Sequence, residues 1–192
     1  MLEKIKEIRE LTGAGVVEVK KALDEAGGDQ EKALEILRLK GLQKADKKGS
    51  RQAGEGAIFS YVHTSGKTAA LVKLYCETDF VARNEEFCQL GRDLAMQVVA
   101  MSPLAVRPEE ISQEELDKQI VFWQKELEEM NKPEAIKIKI LQGKKEKFCQ
   151  ENSLLGQSFI KDPQKKVEEL VKEKIAKLGE NIQIGGFFKM DM

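Results

Sequence analysis

The 192 residues carry 41% hydrophobic and 34% charged side chains, which is the balance of a globular chain with an aliphatic core rather than a disordered one. Lysine and arginine total 32 against 33 acidic residues, a formal charge of −1, so the basic excess of a chain that grips nucleic-acid phosphates is missing and no direct nucleic-acid partner is expected. No apolar run approaches the ~20 residues of a membrane span, and the start, Leu2-Glu3-Lys4-Ile5, lacks the apolar stretch of a signal peptide. A cytoplasmic location without membrane contact is the expectation. Cys76, Cys88 and Cys149 are widely spaced and odd in number, and His63 is the single histidine. They make neither a disulfide framework nor a zinc site, and neither cofactor nor metal is expected.

The first 41 residues predict a small three-helix module. Leu2, Ile5, Ile8 and Leu11 lie three apart along one helical face. Gly13 and Gly15 break the period, and Val16, Val19, Leu23 and Ala26 resume it before Gly27-Gly28. Asp29 is placed to cap a third helix through Ala33, Leu34 and Leu37, with Gly41 as its left-handed exit. Residues 42–55, with Lys44, Lys47, Lys48 and Arg51 and no apolar stripe, predict a basic linker or a frayed helical extension followed by one.

A second domain is expected over 56–192. Ala57–His63 and Ala69–Glu77 are β-prone runs around Thr64-Ser65-Gly66-Lys67, which predicts a hairpin. Ser65-Gly66-Lys67-Thr68 superficially matches the tail of a phosphate-binding loop. The glycine that loop needs five residues before Gly66 is Tyr61, so a hairpin turn is the reading. Asn84 caps a helix with Phe87, Leu90, Leu94, Val98 and Met101 on one face, closed by Ser102-Pro103. Ser112 and Glu115 fit a capping box, opening a helix with Leu116, Ile120, Trp123, Leu127 and Met130 as a partner seam. After Asn131-Lys132-Pro133 its mate runs over about 134–150, which makes a protruding antiparallel helical hairpin over about 113–150. Ile136-Lys137-Ile138-Lys139-Ile140 alternates like a strand, but Ile136, Ile140 and Phe148 share a helical face, and helix is preferred. Asp162-Pro163 predicts the start of a last helix with Val167, Leu170, Val171, Ile175 and Leu178 as its stripe, and Ile182–Met190 a final strand. The fold class is α+β: a helical head, then a small antiparallel sheet with packed helices and the hairpin.

No convergent set of reactive side chains emerges, so an enzyme is not expected: there is no serine elbow, and the paired carboxylates read as first-turn or solvent-face charges. The distinctive segment is Thr78-Asp79-Phe80-Val81-Ala82-Arg83-Asn84, between a strand and a helix. Two readings of Phe80 stand at this point. The ring folds onto the core with Asp79 as an accessory cap, or it stays exposed beside a carboxylate as an anchor for a partner's pocket.

Cys76-Glu77-Thr78-Asp79-Phe80-Val81-Ala82-Arg83-Asn84 resembles the hallmark of the bacterial elongation factor Ts family. Leu11-Thr12-Gly13-Ala14-Gly15 through Lys20-Lys21-Ala22-Leu23 is similar to that family's N-terminal UBA-like module, and Leu154-Leu155-Gly156-Gln157-Ser158-Phe159-Ile160-Lys161-Asp162 to the stretch before its last long helix. The resemblance spans the whole chain in order. It implies guanine-nucleotide exchange on GDP-bound elongation factor Tu, with Thr78, Asp79, Phe80 and Val81 displacing Mg²⁺ and Phe80 as the wedge. It further implies partner contacts at Gly15, Val16, Val17 and Lys20, and a hairpin role for His63. The family's usual Met-Met-Asp-Cys is Val16-Val17-Glu18-Val19 here, and a common arginine pair in the last strand is Gly185-Gly186. With one core module the chain resembles the family's short form, which implies a homodimer through the sheet region and the last helix. The alternative is a UBA-like adaptor that binds some other protein without exchange activity.

Overall fold

The computed structural model describes residues 2–130 and 132–192. Asn131, part of the expected inter-helix turn, lies outside them. The chain forms two compact units, residues 1–96 with 168–192, and residues 97–167.

The head is built from α1 (Leu2–Thr12), α2 (Val16–Glu25) and α3 (Gln30–Lys48). Ile8, Val19, Ala22, Leu23, Ala33 and Leu37 close its core, while Leu2 and Leu11 at the two ends of the expected α1 stripe remain exposed. Asp29 caps α3 as expected, its carboxylate accepting from Glu31 N at 3.0 Å and Lys32 N at 3.2 Å. Gly41 does not end that helix. It continues to Lys48, because Gly41 sits where a helix from the end of the chain crosses closely: a Cβ there would lie 3.1 Å from Ala176 Cβ. Of the two readings of residues 42–55, the structure takes the helical extension, which runs through Lys48.

β1 (Glu55–Val62) and β2 (Thr68–Cys76) form the expected hairpin, and β5 (Gln183–Asp191) joins the other side of β2, giving the antiparallel order β1-β2-β5. Strand alternation sends Phe59, Val72 and Leu74 to one face. There Phe59 meets Phe87 of α5 (Glu85–Met101) edge-to-face, with ring centroids 5.8 Å apart. Phe87, Leu90, Leu94 and Val98 are buried on α5, whereas Met101, placed on the same stripe by spacing, is exposed in its last turn. The family arginines' positions form a bulge: Lys73 pairs with Gly186 and Leu74 with Ile184, leaving Gly185 extra. Gly186 has φ 143°, and a side chain on Gly185 would overlap the Tyr75 ring, so glycine fits both positions.

In the second unit α6 (Gln113–Glu128) and α7 (Glu134–Glu151) pair antiparallel, with Trp123 edge-to-face on Phe148 at 5.8 Å and Lys144 on Glu126 at 2.5 Å. Ser112 caps α6 through Glu115 N at 3.3 Å. The alternating isoleucines are helical, as preferred, although Ile136 and Ile138 face water. The last helix does not begin at Asp162. Residues Asp162–Lys166 are a strand, β4, antiparallel to β3 (Ser158–Phe159), and α8 (Val167–Leu178) starts only after it. A proline tolerated at a helix start is equally tolerated on the edge of a two-stranded ribbon, and the local signal does not separate the two. No described helix is long and apolar enough to cross a membrane.

Candidate partner-docking site

The Phe80 segment begins where β2 ends. Cys76 is buried, and burial followed by the charge of Glu180 pushes its thiol up to about 11, so at neutral pH it is a protonated donor, to Thr78 O at 3.1 Å. The chain then turns through the four-residue helix α4 (Asp79–Ala82), with Thr78 extended at its N-cap and Oγ1 accepting from Val81 N at 3.4 Å. Asp79 pairs with Arg83 at 3.2 Å. Phe80 is 82% exposed, so of the two sequence readings the structure realises the outward one.

What holds this turn comes from the far end of the chain. The Glu180 carboxylate accepts from Glu77 N at 3.2 Å, Thr78 N at 3.0 Å and the Thr78 hydroxyl at 2.7 Å. In return the Glu77 carboxylate accepts from Asn181 N at 2.7 Å and pairs with Arg51 at 3.5 Å. Behind the turn, Asn84 Oδ1 accepts from Glu86 N at 2.9 Å and opens α5. Glu86 is gripped by Lys174 and Lys177 of α8, the latter at 2.9 Å. The Lys174 hydrogen bond, then that of Lys177, holds its carboxyl below the usual carboxylate range. Sequence reasoning missed Glu180, Asn181, Lys174 and Lys177. Their one visible trace is the polar Glu180-Asn181 pair between a helix and a strand, and nothing local points it to residues a hundred positions away.

The other sequence-assigned residues sit elsewhere in the same unit. Gly15 is the N-cap of α2, without a side chain to cap with, and Val16, Val17 and Lys20 are exposed in its first turns. Beside them Glu18 is paired with Lys44, whose hydrogen bond lowers the carboxyl's pKa. Lys48 donates to Gly179 O at 2.6 Å, and burial lowers its pKa. These two lysines of the expected linker thus fasten the head rather than stand free in solvent. A cavity of about 670 Å³ opens between this head and α8, floored by Leu11, Leu34 and Leu37. His63 lies at the hairpin tip, its ring 6.4 Å from that of Tyr61. Glu55 is opposite Cys76 and Val62 opposite Ala69, so the tip is a full strand, about 23 Å, from the end where Phe80 emerges. The structure gathers Thr78, Asp79, Phe80 and Val81 into one turn, keeps Gly15, Val16, Val17 and Lys20 together on α2, and sets His63 apart from both.

Fold and site together define an α+β factor that presents a braced aromatic turn to solvent. Comparison with known proteins gives the class its family. The family model described as Elongation factor TS matches residues 2–190. Elongation factor Ts of Thermosipho melanesiensis is 52% identical over 96% of this chain and 94% of its own length, and that of Thermodesulfovibrio yellowstonii 50% over 98% and 94%. Elongation factor Ts of Thermotoga maritima is 47% identical over the full chain and 95% of its own length. The chain belongs to the elongation factor Ts family. Its general role is nucleotide exchange on elongation factor Tu during translation elongation.

Proposed function

We propose that the protein engages GDP-bound elongation factor Tu and inserts Phe80 between helices of the GTPase, displacing Mg²⁺ and releasing GDP. The observation that carries this reading is the Phe80 ring, held out in water on a turn whose backbone is hydrogen-bonded on both sides. Burying such a ring in a partner gains roughly 1.5–3 kcal/mol. That gain arises in full only where the partner has opened to receive it. By linkage, a factor that binds the nucleotide-free GTPase more tightly than the loaded one must weaken GDP binding by the same ratio. Loss of Mg²⁺ leaves the β-phosphate charge less neutralised and adds to that weakening.

Thr78 caps the turn, Asp79 bonds beside the wedge, and Val81 borders it. Asp79 enters the complex by exchanging its Arg83 partner. Gly15, Val16, Val17 and Lys20 supply a second contact, on the nucleotide-binding domain, and His63 a third near the hairpin tip. The step requires no covalent chemistry. The test is release of a fluorescent GDP analogue from elongation factor Tu at fixed Mg²⁺. Wild type should accelerate release manyfold, and Phe80→Ala should lose at least tenfold of that, the equivalent of about 1.4 kcal/mol. Wild-type speed in Phe80→Ala sinks the wedge. A wild type that leaves release at its intrinsic rate sinks the exchange reading and favours an adaptor.

A specific observation supports a homodimer as well. The sheet face turned away from α5 carries Ile58 and Val62 of β1, Leu71 of β2, and Phe188 and Met190 of β5, all exposed. The register sets Leu71 opposite Phe188 and Ala69 opposite both Val62 and Met190, so Val62, Leu71, Phe188 and Met190 form one apolar patch, with Ile58 set off from it beyond Ser60 and opposite Lys73. The apolar stripe of α8 is by contrast buried at Val167, Leu170, Val171 and Ile175, so the sheet is the better half of the expected interface. A second copy of the patch is its proposed cover.

A further inference from the structure

We infer that Glu180 is a positioning residue for exchange: its carboxylate fixes the backbone from which Phe80 projects. This rests on the Phe80 reading above. The helix α4 has four residues and none is buried. A single turn is costly to nucleate, and with Phe80 exposed and Asp79, Val81 and Ala82 only half-buried, packing holds it incompletely and the bonds at its ends carry much of its order. The N-terminal end is Thr78, and Thr78 is held by Glu180 through both its amide at 3.0 Å and its hydroxyl at 2.7 Å.

The hydroxyl works in two directions. It donates to the carboxylate, and its oxygen accepts from Val81 N at 3.4 Å, so Glu180, Thr78 and Val81 form one hydrogen-bonded chain around Phe80. Bonds to an ionised acceptor are the stronger kind, and each polarises the next. The third bond, from Glu77 N, fixes the residue at which β2 gives way to the turn. Asn181 completes the clamp. Its amide N–H reaches back to the Glu77 carboxylate, and its side chain donates to Arg51 O at 2.6 Å and Gly49 O at 3.4 Å. The segment leaving α3 is therefore tied to Asn181 and, through Arg51, to Glu77, the neighbours in sequence of the two residues that bond at the wedge, Glu180 and Thr78. Without the Glu180 carboxylate the partner would have to order the turn as it bound, and that entropy would be subtracted from what Phe80 contributes.

The test compares wild type, Glu180→Ala, Glu180→Gln, Thr78→Val and Phe80→Ala, and the double variant Glu180→Ala/Phe80→Ala. It follows GDP release from elongation factor Tu together with hydrogen exchange of the Glu77 and Thr78 amides. Glu180→Ala should expose both amides and slow stimulated release about tenfold, with the melting temperature close to wild type. Glu180→Gln keeps one acceptor oxygen and should recover part of the rate. Thr78→Val removes the hydroxyl alone and should slow release less than Glu180→Ala does. The double variant should be no slower than Phe80→Ala, because a wedge that is absent cannot be mispositioned. A general structural role would instead multiply the two losses, and that result overturns the assignment, as does wild-type release by Glu180→Ala. If wild type itself does not stimulate release, the exchange reading has failed. If wild type stimulates and Glu180→Ala does too, only this inference has.

Discussion

The first unit exposes apolar side chains in two contrasting ways. Phe80 is a single ring on a turn surrounded by charged and polar groups, with Asp79 and Arg83 paired beside it and Glu180 beneath. The outer face of the sheet is the opposite, with five large exposed apolar side chains spread over three strands and interrupted by Ser60 and Lys73. A lone aromatic on a rigid mount suits insertion into a pocket and departure from it, because its gain is confined to one side chain. A contiguous patch suits a lasting contact, because gain grows with area and stable interfaces cover about 800 Å² per partner. The same hydrophobic effect thus serves a transient grip in one place and assembly in the other, and the difference lies in how many side chains share a plane.

That contrast breaks first at the sheet. Phe188→Lys would set an ammonium group in the middle of the patch, opposite Leu71. Sedimentation equilibrium should then show the dimer mass fall to that of one chain, the largest change anticipated for a single substitution, while Phe80→Ala leaves the mass unaltered. A monomeric wild type would remove the patch from the account of assembly. Phe80→Ala comes next, with its tenfold or greater loss of exchange. A smaller effect is expected at the head, where Val17 is exposed in the first turn of α2. Val17→Ser forfeits on the order of 1 kcal/mol of apolar contact, about fivefold in binding. It should raise the concentration of factor needed for half-maximal exchange while sparing the maximal rate. A loss of maximal rate instead would mean that the head acts on the nucleotide site and is more than a handle.

The legible parts of the chain are those whose signals are local. Apolar spacing located the three head helices and α5, which bury residues at helical period, and α6, whose seam called for α7 as its mate although no residue of α7 is fully buried. The hairpin was readable from its turn. Gly41 and Asp162-Pro163 misled, since a glycine that permits close helix packing looks like one that ends a helix, and Pro163 fits a strand edge as well as a helix start. At the site, the nine-residue segment from Cys76 announced itself, but its chemistry did not require Glu180, Asn181, Lys174 or Lys177. Those partners are brought in by β5 pairing with β2 and by α8 lying against α5, contacts about a hundred residues apart that no window of sequence contains.

The smallest effect lies behind the turn and is read through pH. Glu86 has its carboxyl held low by Lys174 and Lys177, so the pair stabilises the fold at neutral pH and ceases to do so as pH falls through the folded value, below the ordinary 4.5. The side chains are partly exposed, at 39% for Glu86, which limits the contribution to the range of ~0–1 kcal/mol found for surface pairs. In a chain of this size that is about 2–4 °C of melting temperature at most. Glu86→Gln should therefore melt slightly below wild type at pH 7 and converge with it in acid, below the ordinary carboxylate value, as the wild-type carboxyl loses its charge. Parallel curves across that range would mean that the two lysines do not distinguish the charged from the neutral side chain. The clamp of Glu180 would then be the turn's principal charged support, with α8 contributing packing alone.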